Sequence, residues 1–202
     1  MKIHAVIDTN IIVSAMLTAN PLSPTRCILG KIRDNDVTPM INDDIIEEYT
    51  EVLSRSKFHF KQDDIDNMLD LVNTKGVRYT PTCLRQDFID MNDVIFYETY
   101  LMRDGSYLVT GNLRHFPKEA RIVSPNDMMD ILRLSDINSD NLLNEPAHPY
   151  MSTRLQRAWE AIERMQASAV ANGISDMTME EIDEEIRQYR EQRTATKTRR
   201  FL

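Results

Sequence analysis

Strand-like and helical segments alternate from the start of the chain to Leu134, and this alternation restricts the possible folds more than any other feature. Short apolar segments typical of buried strands lie at residues 3–7, 37–41, 76–79, 106–110 and 120–123. The segments between them carry apolar residues at helical spacing, as in DDIIEEYTEVLSR at residues 43–55. Strands separated by helices predict an α/β fold in which helices cover both faces of a parallel sheet.

The alternation ends near Leu134, and the rest of the chain has a different character. We predict an α/β domain at residues 1–135 and a linker at residues 136–152, where two prolines occur and no periodicity is sustained. Residues 153–202 form a predicted helical extension with two apolar stripes at helical spacing. Such stripes usually pack against the helix's own domain, and docking on another surface is the alternative.

Asp8 lies at the end of the first predicted strand, in the sequence VIDTN. Two interpretations of this residue stand side by side. Asp, Thr and Asn all favour the position that caps a helix, so Asp8 can simply begin the next helix. The carboxyl edge of a parallel sheet is also where open α/β folds bind ligands, so Asp8 can equally be a site residue.

Further polar residues follow the later strands, and a parallel sheet gathers such positions at one edge. Glu48 lies one turn into the helix after the second strand, Asp93 begins a helix, and Asn112 and His115 follow the fourth strand. Each has a structural explanation, as a cap, a solvated face or a turn. Together they predict a group of carboxylates that suits a hard divalent cation, Mg²⁺ or Mn²⁺.

The charge balance excludes one class of function and leaves another open. The chain has 24 Lys and Arg residues against 32 Asp and Glu residues, a net charge of −8. This acidity argues against a surface that coats nucleic acid nonspecifically. It is compatible with a nuclease, because a carboxylate cluster inverts its local charge when it binds a metal ion. No apolar run has the length of a membrane span, and we expect a cytoplasmic protein.

Four segments resemble the successive motifs of the PIN domain family over Met1 to Leu134. They are VIDTNIIVSAML, DDIIEEYTEVLSRSKF, MNDVIFYETYLMRDGSYLVTGNLRHFP and IVSPNDMMDIL. The resemblance is closest to PIN proteins that are the toxin components of toxin–antitoxin pairs. It implies a Rossmann-like sheet and a metal-dependent endoribonuclease.

The resemblance also implies roles for individual residues. Asp8, Glu48 and Asp93 match the acids that hold the metal, and Asn112 stands where the family often has a fourth acid. An amide brings no charge, so Asn112 leaves the rate and the second metal position open. The candidates for orienting the acids or contacting the RNA phosphate are Thr9, Asn10 and Thr110, and His115 is a candidate for contacting the phosphate or carrying a proton.

The C-terminal segment GISDMTMEEIDEEIRQYREQR resembles the part of an antitoxin that binds a PIN toxin. Such segments place an arginine into the acidic pocket, and Arg187, Arg190 and Arg193 are the candidates for an inhibitory role here. Residues 151–202 carry nine acidic and nine basic residues, so the whole charge of −8 lies on residues 1–150. A basic side chain from the extension would therefore meet an acidic partner.

Three classes of function follow from these observations. The leading one is a PIN-type ribonuclease that its own antitoxin-like segment inhibits, in cis or in trans. The second is an inactive PIN domain that binds RNA or protein, which Asn112 favours. The third is a structural toxin–antitoxin remnant that forms a homodimer by exchanging its extension with a second copy.

Overall fold

The computed structural model describes residues 2–81, 93–139 and 152–199. Its five strands are β1 (Ile3–Ile7), β2 (Val37–Ile41), β3 (Val77–Arg78), β4 (Tyr107–Val109) and β5 (Ile122–Val123). The α-helices are α1 (Thr9–Leu17), α2 (Pro24–Arg33), α3 (Asp43–Leu53), α4 (Gln62–Lys75), α5 (Val94–Leu101), α6 (Pro125–Ser139), α7 (Thr153–Ala171) and α8 (Met179–Arg199). Within these ranges, no helix combines the length and the apolar character that crossing a bilayer requires.

The strands form one parallel sheet in the order β3-β2-β1-β4-β5. The predicted α/β fold with a parallel sheet is therefore confirmed. β1 is the central strand, with β2 on one side and β4 on the other. After β1, the chain adds β2 and β3 on one side of it and then crosses to the other side, where it adds β4 and β5. The carboxyl ends of β1 and β4 thus form a topological switch point, where open α/β sheets bind their ligands.

Local sequence explains why the elements around this edge begin where they do. Every residue of β2 is buried, as expected for a strand that helices cover on both faces. Asn42 then ends the strand and caps α3, since its side-chain oxygen accepts a hydrogen bond of 2.7 Å from the backbone N–H of Ile45. This cap fixes the start of the helix that carries Glu48.

Some predicted boundaries differ from those of the structure. β3, β4 and β5 are shorter than the predicted strands, although single hydrogen bonds continue just beyond their ends, as from the N–H of Tyr79 to the carbonyl of Ile41 at 2.8 Å. α6 continues through Ser139 into the segment that we predicted as linker from residue 136. A helix that has begun gains one hydrogen bond for each added residue, so its last turn needs no apolar periodicity. The rest of the predicted linker, residues 140–151, lies outside the described residues.

The predicted helical extension forms α7 and α8, which pack on the α/β unit. α7 lies against α4 and α1, and α8 lies against α1. Side chains from both helices belong to the same hydrophobic core as the sheet, among them Ala158, Ile162, Met165, Ala169, Ile182 and Ile186. The apolar stripes of the extension therefore bury themselves against the chain's own α/β unit.

Candidate active site

Asp8 occupies the switch point at the carboxyl end of β1. Its backbone N–H donates to the carbonyl of Val109 at 2.9 Å, which ties the ends of β1 and β4 together. The residue stands before α1, yet its side chain makes no capping hydrogen bond. Its carboxylate accepts a hydrogen bond of 2.6 Å from the hydroxyl of Thr110 instead. The capping interpretation of Asp8 therefore does not describe its side chain.

The environment of Asp8 disfavours its charged form. Its side chain belongs to a residue that is only 4% exposed, and burial together with the nearby Asp93 carboxylate raises its pKa to about 8. Arg190 and the Thr110 hydroxyl act in the opposite direction and stabilise the anion. Burial and the neighbouring carboxylate thus outweigh the two groups that stabilise the charged form.

Glu48 is the second buried acid, and α3 directs it toward the same sheet edge. The residue is 2% exposed, and its Oε1 accepts a hydrogen bond of 2.6 Å from the Thr9 hydroxyl. Thr9 is fully buried as the first residue of α1. The phenolic O–H of Tyr49, the next residue of α3, donates to the carbonyl of Ile7 at the end of β1. These contacts hold α3 against the site.

Asp93 is the third buried acid and stands at the N-terminus of α5 without capping it. Its Oδ2 lies 2.9 Å from Nδ1 of His115. On the other side of the imidazole ring, Nε2 of His115 lies 2.9 Å from the side-chain nitrogen of Asn112. The Asn112 amide can only donate there, so Nε2 accepts and Nδ1–H donates to Asp93. Asn112 therefore reaches Asp93 through His115 rather than directly.

Arg190 of α8 lies between two of the acids. Its Nη1 donates to Oδ1 of Asp93 and its Nη2 donates to Oε1 of Glu48, each at 2.8 Å. Arg190 is 6% exposed. Burial works against its charge, but Glu48 and Asp93 outweigh that effect and raise the pKa of the guanidinium above its ordinary value. The guanidinium is thus a buried cation held by two buried carboxylates.

The other two candidate arginines of α8 lie elsewhere. Arg187 is largely exposed and pairs with Glu184 and Glu191 of its own helix, although it lines the rim of the pocket. Arg193 pairs with Glu47 and approaches Glu51 at 3.6 Å, both on the outer side of α3. Of the three arginines, the structure places Arg190 against the acids.

The remaining candidates differ in what they contact. Thr9 and Thr110 are fully buried and donate to Glu48 and Asp8, which favours orientation of the acids over contact with an RNA phosphate. Asn10 donates at 2.8 Å to Asp183 of α8, and its oxygen accepts from the N–H of Gly111 at 3.1 Å. Asn10 therefore joins the sheet edge to α8.

Asp183 is a site residue that the sequence did not reveal. It is half-buried, and burial raises its pKa. It follows a run of acids in which Glu180 and Glu181 occupy the first turn of α8, where the helix dipole favours acidic residues, so the sequence does not set it apart. Only its contact with Asn10 distinguishes it from the exposed acids around it.

A cavity of about 230 Å³ opens beside these residues. Its walls come from the sheet edge on one side and from α8 on the other. The lining residues are Asp8, Asn10, Asp93, Asn112, Arg114, His115, Glu180, Asp183, Glu184, Ile186, Arg187 and Arg190. The cavity is therefore shared between the α/β unit and its C-terminal helix.

The carboxylates suit a divalent cation in their chemistry, although Arg190 separates two of them. Carboxylate oxygens are the ligands that Mg²⁺ and Mn²⁺ prefer, and a bound cation would stabilise the charged form of Asp8, whose pKa is raised by burial and by the Asp93 carboxylate. Among the described residues, no three His, Cys, Asp or Glu side chains come close enough to hold a metal ion together. The chemistry of these carboxylates therefore suits a metal ion, whereas their positions in this structure are those that bind the guanidinium of Arg190.

Comparison with known proteins identifies the fold family. A model of the PIN domain family matches residues 4–114, which include all of the buried acids described above. Neither the curated proteins nor the solved structures include a match to this chain. PIN domains are in general metal-dependent nucleases. The match spans more than half of the chain, so the protein belongs to the PIN domain family.

Proposed function

We propose that this protein is a metal-dependent endoribonuclease of the PIN toxin type whose own helix α8 holds the active site closed. Asp8, Glu48 and Asp93 are the proposed metal ligands, with Mg²⁺ or Mn²⁺ as the cation. An RNA phosphodiester is the proposed substrate, and the cytoplasm is where the enzyme would meet it.

The contact of Arg190 with Glu48 and Asp93 is the observation that carries the proposal. Three buried carboxylates at a switch point are costly unless they bind a positive charge. The guanidinium provides one positive charge and occupies two of the three acids. A divalent cation would need those same oxygens, so the two cations compete for one site.

The residues of the site then have distinct roles in the reaction. When bound, the cation lowers the pKa of a water molecule and stabilises charge that develops on the phosphate. Thr9 and Thr110 hold the carboxylates of Glu48 and Asp8 in place through their hydroxyl groups. His115 is about one third exposed at the cavity and lies against Asp93, where it can contact the substrate phosphate or carry a proton.

Inhibition by α8 has a physical basis in its covalent attachment. A tethered group reaches an effective concentration of roughly millimolar or higher when the linker permits contact. The charge-assisted hydrogen bonds of Arg190 are of the strong class because both partners are ionised. We propose that α8 is an antitoxin-like segment acting in cis. An antitoxin-like segment in trans, or exchange of α8 within a homodimer, would use the same contacts.

Cleavage by the full-length Arg190→Ala variant tests the proposal. We expect this variant to cut a labelled single-stranded RNA with Mg²⁺ or Mn²⁺ more than about tenfold faster than the wild type, since a competing pair worth at least 1.4 kcal/mol is lost. Chelation of the metal should abolish the activity.

Arg187→Ala is the matched control, because Arg187 lies one turn earlier on the same helix and pairs within that helix. Its rate should equal that of the wild type. If Arg190→Ala binds neither Mn²⁺ nor RNA and cuts nothing, the nuclease proposal is wrong. Binding of RNA without cleavage would instead support the alternative of a catalytically inactive RNA-binding module, which the uncharged Asn112 favours.

Solution size distinguishes cis inhibition from exchange. A chain that folds α8 onto its own domain remains a monomer of 23.5 kDa at all concentrations. Exchange between copies gives a dimer that dissociates when Arg190→Ala removes the central contact. Light scattering across a concentration series measures this directly.

A further inference from the structure

A second charged cluster lies where α8 crosses the segment between α3 and α4. Glu185 of α8 is buried, with a side chain that is 8% exposed. Its Oε2 accepts from Nη2 of Arg55 at 3.2 Å, and its Oε1 accepts from Nζ of Lys57 at 2.6 Å. One carboxylate from the helix thus covers two cations of the α/β unit.

The two basic residues of the cluster are not equally well hydrogen-bonded. The contact from Arg55 to Glu185 is the longer one, and the Nε of Arg55 is buried without a hydrogen-bond partner among the described residues. A guanidinium binds best when two parallel N–H groups meet two acceptor oxygens, as a phosphate offers. The Glu185 carboxylate accepts a hydrogen bond from Nη2 of Arg55 but none from its Nε–H group.

The position of the cluster relates it to the acidic pocket. Arg55 and Lys57 follow α3, the helix that carries Glu48. Glu185 and Arg190 lie on the same helix, where five residues separate them by roughly 7.5 Å along the axis and by roughly 140° around it. Helix α8 therefore places Arg190 against the acidic residues of the pocket and Glu185 against the basic residues that follow α3.

The charge distribution gives these two cations a specific use. Residues 1–150 carry the entire net charge of −8, so an RNA strand approaching the pocket meets repulsion unless local cations hold its phosphates. Arg55 and Lys57 form such a local pair, and Glu185 of α8 pairs with both, although only Arg55 is largely buried and the Lys57 side chain stays half exposed.

We infer that Arg55 and Lys57 form a phosphate-binding site for the RNA backbone, which Glu185 occupies in the closed state. The inference rests on the proposed ribonuclease function and extends it, because it assigns how the strand is held beside the acids. Helix α8 then excludes both the cation and the substrate, through Arg190 and Glu185.

Binding of RNA without metal tests the inference separately from cleavage. The parent protein is the full-length Glu185→Gln, Arg190→Ala variant, in which the ion pairs that Glu185 and Arg190 of α8 make with the α/β unit are removed. Affinity for a short fluorescein-labelled oligouridylate is measured by anisotropy in EDTA across a KCl series. Adding Arg55→Gln and Lys57→Gln should weaken binding on the order of tenfold and lower the slope of log K against log salt by roughly 0.7 for each lost phosphate contact.

A charge-matched control removes two other cations. Lys31→Gln with Arg133→Gln in the same parent lowers the net charge equally, on helices α2 and α6, and should leave the slope unchanged. Arg55→Lys retains the charge and should preserve the slope. Thermal unfolding of each variant shows that the fold is intact.

The outcomes separate the two proposals. If the parent binds RNA and Arg55→Gln, Lys57→Gln behaves like the control, the two cations only anchor α8 and the inference is overturned while the nuclease proposal stands. If the parent binds no RNA, the inference fails as well. Cleavage by the parent with Mn²⁺ decides the nuclease proposal independently in either case.

Discussion

Arg190 donates a hydrogen bond of 2.8 Å to Asp93 across 97 positions of sequence, and both side chains are buried. The contact joins the last helix of the chain to the N-terminus of α5. It brings the C-terminal extension into the centre of the acidic site, where the carboxylates of a PIN domain are expected to meet a metal ion.

Asp8→Asn should abolish cleavage in the Arg190→Ala background. Loss of groups that merely orient metal ligands costs about 10–100-fold, so loss of a ligand itself should cost at least about 10²-fold. The amide can still accept a hydrogen bond from Thr110, and it removes a carboxylate that burial disfavours. The melting temperature should therefore equal or exceed that of the parent. Retained cleavage would exclude Asp8 as a ligand.

Thr110→Val tests whether the hydroxyl orients Asp8. The substitution keeps the shape of the side chain and removes the donor of the 2.6 Å hydrogen bond, so affinity for Mn²⁺ should fall by about 10–100-fold in the Arg190→Ala background. Thr50→Val is the control, because the Thr50 hydroxyl donates within α3 to the carbonyl of Ile46. Titration calorimetry measures both, and equal affinities would leave Thr110 without this role.

Asn112→Asp should strengthen metal binding several-fold in the Arg190→Ala background, because it adds a negative charge where the family often has an acid. The new carboxylate can no longer donate to Nε2 of His115, so the contact between residues 112 and 115 changes as well. Mn²⁺ affinity and the cleavage rate are measured together. If neither rises, the missing acid does not limit the site.

Ile162→Ala tests whether α7 is part of the core rather than a detachable segment. Ile162 is fully buried, so its truncation should lower the free energy of unfolding by about 2–5 kcal/mol. Val170 lies on the same helix but is 52% exposed, and Val170→Ala should change stability by no more than about 0.5 kcal/mol. Chemical denaturation distinguishes the two. Equal stabilities would show that α7 adds nothing to the core.

The same packing determines where the extension can be cut. Removal of residues 152–202 would expose the faces of α1 and α4 that α7 covers. A chain that ends after Asn172 keeps α7 and loses only α8 with Arg190. We expect that shorter deletion to remain folded and to gain cleavage activity, measured by thermal unfolding and the RNA assay. A folded but inactive product would contradict inhibition by α8.

The sequence by itself was sufficient to predict the α/β class, the parallel sheet and the helical extension. These properties depend on patterns that are local in the chain, namely short apolar segments, helical spacing and capping residues such as Asn42. The approximate positions of the buried acids also followed, because parallel strands bring their carboxyl ends to one edge. The short apolar segments predicted that each strand exists, but they did not predict its first and last residues.

Only the tertiary structure decided which of several equivalent side chains meets another. Arg187, Arg190 and Arg193 lie on one helix within two turns, and the register of α8 on α1 is what directs Arg190 to Glu48 and Asp93. The same register half-buries Asp183 against Asn10 and buries Glu185 against Arg55, although the acids beside them look alike in sequence. Such pairings depend on distances between segments far apart in the chain, and these distances are set by the packing of the whole core.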